Sequence, residues 1–193
     1  MYGKYIKRLI DIIIALIGLP FFAVIFIIVA PIIYLEDKGP IFYISDRLGY
    51  KTKTFKMFKF RSMKVNAPDL RNADGSTYNS ETDSRLTKIG KILRKTSIDE
   101  TPQLFNVLIG DMSIVGPRPG TTDSVLSYGE KKRRSVRPGI TGYSQALKRN
   151  SDTMDERMNN DIYYAEHVSL FLDIKIIFMT VFSVLGGKSI YRN

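Results

Sequence analysis

The sequence predicts a mostly helical α+β protein, with an N-terminal membrane helix followed by a small domain that contains a short hairpin. Three observations predict it. From Ile12 to Leu35 there are 24 residues without a charge, and a membrane helix needs about 20. Two strand-like segments, 40–44 and 53–60, follow with turn residues between them. Helical periodicity or apolar helix-length runs then return at 85–95 and 170–185. The expected division is residues 1–36 as the membrane helix and 37–193 as a cytoplasmic domain lying on the membrane surface.

Composition narrows the chemistry. In 193 residues, Lys plus Arg number 29 against 19 for Asp plus Glu, a formal charge of +10. Such an excess points to an anionic partner: nucleic acid, lipid headgroups or a phosphorylated small molecule. A hydrophobic content of 44% excludes a disordered chain. The absence of cysteine excludes disulfides, thiolate zinc sites and cysteine nucleophiles. The one histidine, His167, precedes an apolar run and reads as a packed or rim residue. Acids, bases and nucleophiles must therefore come from Asp, Glu, Ser, Thr, Tyr and Lys.

The apolar run is flanked by Lys4, Lys7 and Arg8 before it and by Lys38, Arg47, Lys51 and Lys53 after it. The positive-inside tendency places both flanks in the cytoplasm. Gly18 and Pro20 stand mid-run, where proline removes a backbone hydrogen bond. A re-entrant helix broken at Pro20, its second limb ending near Pro31, satisfies both facts; a kinked single span is the plainer alternative. A cleaved signal peptide fits worse, because the run is too long and lacks a small-x-small site.

Glu36 to Pro40 is turn material, and Asp46-Arg47-Leu48-Gly49 reads as the hairpin connection. Alternating lysines along 53–60 ordinarily form a solvated face, but Lys59 and Arg61 stand where strand meets loop and are phosphate candidates. Residues 64–85 form a polar loop in which Asp74, Asn79 and Asp83 lack the spacing of a calcium loop. In the following helix, Leu86, Ile89, Ile92 and Leu93 share one face.

Residues 94–119 hold the chemistry: Arg94, the adjacent acids Asp99 and Glu100, and Arg118 between two prolines. Two readings compete for the acids. Ser97-Ile98-Asp99-Glu100 fits a capping box, and Thr101-Pro102 offers a second cap, either of which makes the acids structural. Alternatively, Arg94 and Arg118 hold phosphate oxygens in fork geometry while a carboxylate and those phosphates share Mg²⁺. The second carboxylate then attacks phosphorus.

Further on, Lys131 to Arg137 contains five cations in seven residues. It reads as a solvated face or as a surface for acidic lipid. No aromatic residues interleave it, so base stacking is not expected. Tyr163 and Tyr164 read as core aromatics, and 170–185 as a buried or interface-lying helix, too short to span. Gly186-Gly187-Lys188-Ser189 is not a P-loop, because Phe182 stands where the first glycine belongs.

Four stretches together resemble the bacterial sugar transferase family, the monotopic phosphoglycosyl transferases. They are Lys59-Phe60-Arg61-Ser62-Met63, Arg94 to Leu108, Gly110 to Pro119 and Val136 to Gly142. The likeness extends from Lys7-Arg8 to Leu172-Asp173-Ile174-Lys175. It implies a re-entrant helix in the bacterial inner membrane, with the catalytic domain on the cytoplasmic leaflet. The implied reaction moves a sugar 1-phosphate from a UDP-sugar to polyprenyl (undecaprenyl) phosphate, releases UMP, needs Mg²⁺ and begins surface polysaccharide assembly. Asp99 matches the family nucleophile and Glu100 the residue associated with the metal. Arg94 and Arg118 match the phosphate site, Lys59 and Asp173 match other functional positions, and Arg137 and Arg149 match a nucleotide-recognition region. Two places depart from the pattern. Ala23-Val24 stand where the family commonly has Ser-Pro, which bears on the depth and angle of the helix. Leu147-Lys148 stand where many members have Asn-Gly, which bears on donor preference. An interfacial helix would also offer a face for a homodimer. The competing class is a membrane-anchored basic scaffold for acidic lipid or nucleic acid.

Overall fold

The computed structural model describes residues 2–70, 78, 80, 82–122, 127–148 and 153–186. Arg149, Asp74, Asn79 and the Gly187-Lys188-Ser189 stretch lie outside the described residues.

After a π-helical turn at Tyr2–Ile6, α1 runs from Lys7 to Asp37. Its 31 residues extend about 46 Å at 1.5 Å per residue. The helix is continuous through Pro20 and Pro31, so the expected break at Pro20 is not seen. A proline deletes one backbone donor, and the turns on either side still close. The helix stops at Lys38, whose left-handed backbone (φ 58°) returns its N–H to the Tyr34 carbonyl.

Helical periodicity sorts α1 into two stripes. Lys7, Asp11, Ala15, Phe22, Val29 and Ile33 are buried against the rest of the protein. On the opposite side Ile17, Phe21, Val24, Ile28, Ile32 and Leu35 are exposed. Polar contacts fasten both ends. Near the start, Lys7 Nζ donates to Asp173 Oδ2 (2.8 Å), and Asp11 accepts from Ser113 Oγ (2.7 Å) and the Ile114 N–H (3.0 Å). At the end, Arg61 forms two 2.5 Å bonds to the Asp37 carboxylate.

The hairpin consists of β1 (Phe42–Leu48) and β2 (Thr54–Phe60), antiparallel, with Phe42 opposite Phe60. The first strand runs through Asp46-Arg47-Leu48, where a turn was expected, and the connection falls at 49–53 instead. Tertiary pairing explains the extension: Arg47 and Leu48 also pair with β4 (Gly120–Thr121). Then come α2 (Lys88–Thr96), α3 (Gln103–Ile109), β3 (Ser113–Val115) and α4 (Tyr128–Arg133). The strand β5 (Gly139–Thr141) pairs in parallel with β3, and α5 (Tyr143–Lys148), α6 (Met154–Glu166) and α7 (Leu170–Leu185) complete the order. The last helix has the expected bounds, with Leu172 and Ile176 buried and Phe171, Ile174, Phe178 and Phe182 exposed.

Among the described residues, two of three apolar clusters include α1. Ala15 packs with Phe55, Met57, Val107 and Met112, and Phe22, Val29 and Ile33 pack with Phe60 and Leu93. The third joins Val115, Ala146, Tyr164, Leu172 and Ile176. In the first cluster α3 also closes the free edge of β2. The fully buried Asn106 accepts from the Phe58 N–H (3.0 Å) and donates to the Lys56 carbonyl (2.7 Å), as a neighbouring strand would. Asn106→Ala leaves both strand groups unpaired, at a cost of about 2–4 kcal/mol. The expected outcome in detergent is a melting temperature lower by about 5–10 °C; an unchanged value would contradict the edge-closing role.

Candidate active site

The site is built where α2 ends. Thr87 caps the helix by accepting from the Gly90 N–H. Gly90 lies against the Ser62 carbonyl so closely that a Cβ would sit 1.9 Å from that oxygen. The close approach brings Arg94, one turn later, to Ser62, where Arg94 Nε donates to Ser62 Oγ at 2.9 Å. The helix ends at Ser97 in the left-handed region (φ 59°), and a 3₁₀ turn over Ile98–Glu100 precedes α3.

This tight turn makes the consecutive acids neighbours. It also overturns both capping readings. Ser97 makes no side-chain cap, Thr101 Oγ1 donates to the Ile98 carbonyl, and the residue preceding α3 is Pro102. Glu100 reaches across to β2 instead, where Lys59 Nζ donates to its Oε1 at 2.6 Å. Lys59 shares one face of the strand with the buried Phe55 and Met57, whereas the exposed Lys56 points to the other.

Arg118 arrives from β3. The N–H of Gly116 donates to the Thr141 carbonyl (2.9 Å) and that of Gly139 to the Pro117 carbonyl (3.0 Å). A Cβ on Gly139 would lie 2.1 Å from the Gly116 nitrogen, so this backbone crossing requires glycine. Arg133 Nη1 also donates to the Arg118 carbonyl at 3.3 Å, steadying the Pro117-Arg118-Pro119 segment.

The carboxylates divide the charge unequally. Burial pushes the Asp99 carboxyl up to about 6; Lys59 pulls it down, Glu100 raises it, and Arg94 and Arg118 lower it. Burial would also raise Glu100, yet Lys59, Arg118 and Arg94 outweigh that and hold it below the usual range. The pair titrates jointly, with Glu100 retaining its charge and Asp99 taking the proton first. A buried carboxyl group, a second acid and three cations at one place have the chemistry to bind a phosphoryl group and offer it a nucleophile.

Lys59, Arg94, Asp99, Glu100 and Arg118 are thus brought together, while three other sequence candidates are engaged elsewhere. Arg61 holds Asp37 and donates from Nε to the Pro40 carbonyl (2.5 Å). Arg137 donates to the Gly110 carbonyl (2.8 Å), with its guanidinium 5.5 Å from the Tyr50 ring centroid. Asp173 is buried and accepts from Tyr2, Lys7 and Tyr164 at 2.5, 2.8 and 2.6 Å. Ser62 and Asn106 lie inside stretches that the sequence singled out, but only contacts with distant residues reveal their roles. The basic run is largely neutralised: Lys132 pairs with Glu166, Arg133 with Glu130 and Asp161, and Arg134 with Glu130. His167 is an exposed rim residue stacked on Tyr163. Among the described residues no group of three or more His, Cys, Asp or Glu could hold a metal, which leaves Asp99 and Glu100 as the carboxylates available here.

The chain is 37% identical, over 95% of its length, to the UDP-N-acetylgalactosamine-undecaprenyl-phosphate N-acetylgalactosaminephosphotransferase of Aeromonas hydrophila, of which it covers 44%. It is 40% identical, over 96%, to the UDP-glucose:undecaprenyl-phosphate glucose-1-phosphate transferase of Klebsiella pneumoniae, covering 41% of that protein. It thus spans less than half the length of these two relatives. A sugar transferase of Bacillus subtilis, EpsL, is 40% identical over 97% of the chain and is covered to 91%. The family model described as bacterial sugar transferase matches residues 2–187, and this chain belongs to that family.

Proposed function

We propose that the protein transfers a sugar 1-phosphate from a UDP-sugar to polyprenyl phosphate, releasing UMP through a covalent phosphosugar on Asp99. The observation that carries this reading is the buried Asp99 beside Glu100 in the field of Lys59, Arg94 and Arg118. The names of the Aeromonas and Klebsiella relatives supply the substrate classes, a UDP-sugar and undecaprenyl phosphate.

In the first displacement an Asp99 carboxylate oxygen bonds to the phosphorus that carries the sugar. The bond from that phosphorus to the bridging oxygen breaks, and UMP leaves with the electron pair. In the second, a phosphate oxygen of the acceptor attacks the same phosphorus and the Asp99 carboxylate departs, yielding a polyprenyl diphosphate sugar. Arg94 and Arg118 orient and neutralise the phosphate oxygens in fork geometry, while Lys59 keeps Glu100 ionised and in place. Magnesium fits this donor set, since the ion commonly takes one or two carboxylates plus phosphates and water. Glu100, with Asp99 beside it, would hold the ion, which when bound would offset the charge of the pyrophosphate.

The helix α1 lies along the cytoplasmic leaflet of the bacterial inner membrane with both of its ends on the cytoplasmic side. Support comes from its ends, since Lys7 and Asp37 bind Asp173 and Arg61 of the same domain, and from its exposed apolar stripe.

Asp99→Asn preserves shape and removes the nucleophile. With Mg²⁺, polyprenyl phosphate and a panel of UDP-sugars, UMP release is expected to fall by about three orders of magnitude or more. The melting temperature should hold; a variant that still releases UMP would refute the reading. The acid limb of kcat/KM is expected near pH 6, where Asp99 takes up the proton that burial favours. It should move to lower pH with added Mg²⁺. A limb at the ordinary carboxyl value of 3.8, insensitive to Mg²⁺, would contradict the assignment.

A further inference from the structure

We propose that Glu36 and Asp37, in the last turn of α1, are positioning residues for the phosphate site. By two separate paths they set where Arg94 stands against Asp99. The inference deepens the reaction proposed above and rests on that reading, in which Arg94 orients the phosphate oxygens.

The first path runs through the start of α2. A helix begins with N–H groups that have no partner within it. The Thr87 side chain accepts from the Gly90 N–H, and the Glu36 carboxylate accepts from those of Lys88 (2.5 Å) and Ile89 (3.2 Å). An exposed acid is ordinarily free to point into water, but Glu36 reaches 52 residues along the chain to this helix start, where a negative charge is favoured. Lys88 and Arg94 belong to one continuous helix, so fixing its first turn fixes Arg94 about 9 Å further along the axis.

The second path runs through the end of β2. Arg61 grips Asp37 in fork geometry, Nη1 to Oδ2 and Nη2 to Oδ1, both at 2.5 Å. Asp37 also accepts from the N–H groups of Gly39 and Val65, each at 3.3 Å. Arg61 is buried and donates further to the Pro40 and Met63 carbonyls, at 2.5 and 3.1 Å. Its neighbours in sequence belong to the site. Lys59, two positions earlier, holds Glu100. Ser62, the next residue, accepts from Arg94 Nε through its hydroxyl (2.9 Å) and from the Thr87 N–H through its carbonyl (3.1 Å).

Consecutive residues on a helix diverge by about 100°, so Glu36 and Asp37 reach different elements from the same turn. Both paths nevertheless end on one guanidinium, at the start of its helix and at its Nε, and that guanidinium acts on Asp99 and Glu100 alike. An anchor for α1 would need only the pair of Arg61 and Asp37. The convergence on Arg94 is what assigns the two acids to the reaction.

The test is a set of double-mutant cycles on the membrane-reconstituted protein. The quantity read is the single-turnover rate at which Asp99 acquires phosphosugar from a UDP-sugar and Mg²⁺ without acceptor. Glu36→Ala removes the bonds to the helix start, and Asp37→Asn keeps the shape of the side chain but removes the charge that Arg61 grips. Each is expected to slow the reaction about tenfold, as a small displacement of an orienting group does. Glu36→Gln, which keeps one acceptor oxygen, should recover part of the rate. In an Arg94→Lys background the same substitutions should add no loss, whereas in an Arg118→Lys background the tenfold loss should persist. Equal losses in the two backgrounds would overturn the proposal. So would single variants that react at the wild-type rate, whether or not their melting temperature falls. A wild type that forms no adduct would instead defeat the covalent reading, and this proposal with it.

Discussion

A carboxyl group withdrawn from water favours its neutral form, and a second carboxylate beside it adds to that penalty. Asp99 and Glu100 can stand side by side only because Lys59, Arg94 and Arg118 offset their charge. Each cation comes from a different element, β2, α2 and the segment after β3, and each element is held by its own close contact. Asn106 closes the edge of β2, Gly90 seats α2 against Ser62, and Gly139 lets β5 cross Gly116. The carboxylate pair thus depends on packing well beyond its own turn.

The same economy of charge governs the membrane helix. Its buried polar residues, Lys7 and Asp11, and the Asp37 at its end meet partners far away in sequence. Its other side presents aliphatic residues along most of its length. One stripe joins the domain's clusters and the other exposes apolar residues as a membrane-associated helix does, so α1 is also a core element. Arg61 and Asp173 secure its two ends, and their charges are engaged in holding the helix against the domain.

Much of this was legible in the residues, where local pattern decides structure. The uncharged run, the periodicity of α2 and the bounds of α7 follow from spacing alone, and Asp99 and Glu100 stand out because few other chemistries remain without cysteine. What the residues hid were long-range pairings. The Ser-x-x-Glu spacing at 97–100 satisfies a capping box, yet Lys59, 41 positions from Glu100, draws that side chain away. Arg61 and Asp173 look like ligand-facing charges until Asp37 and Lys7 are seen against them. The strand β1 outran its expected end because β4, distant in sequence, pairs with it. Pro20 reads as a break, but the neighbouring turns and their packing carry the helix through.

The central claim is that Asp99 becomes esterified to phosphorus. The most direct measurement is mass spectrometry of the protein quenched after incubation with a UDP-sugar and Mg²⁺ without acceptor, followed by peptide mapping. The account predicts one added phosphosugar, located on Asp99 and discharged when polyprenyl phosphate is supplied. Product formation without an adduct, or with the adduct on another side chain, would contradict it.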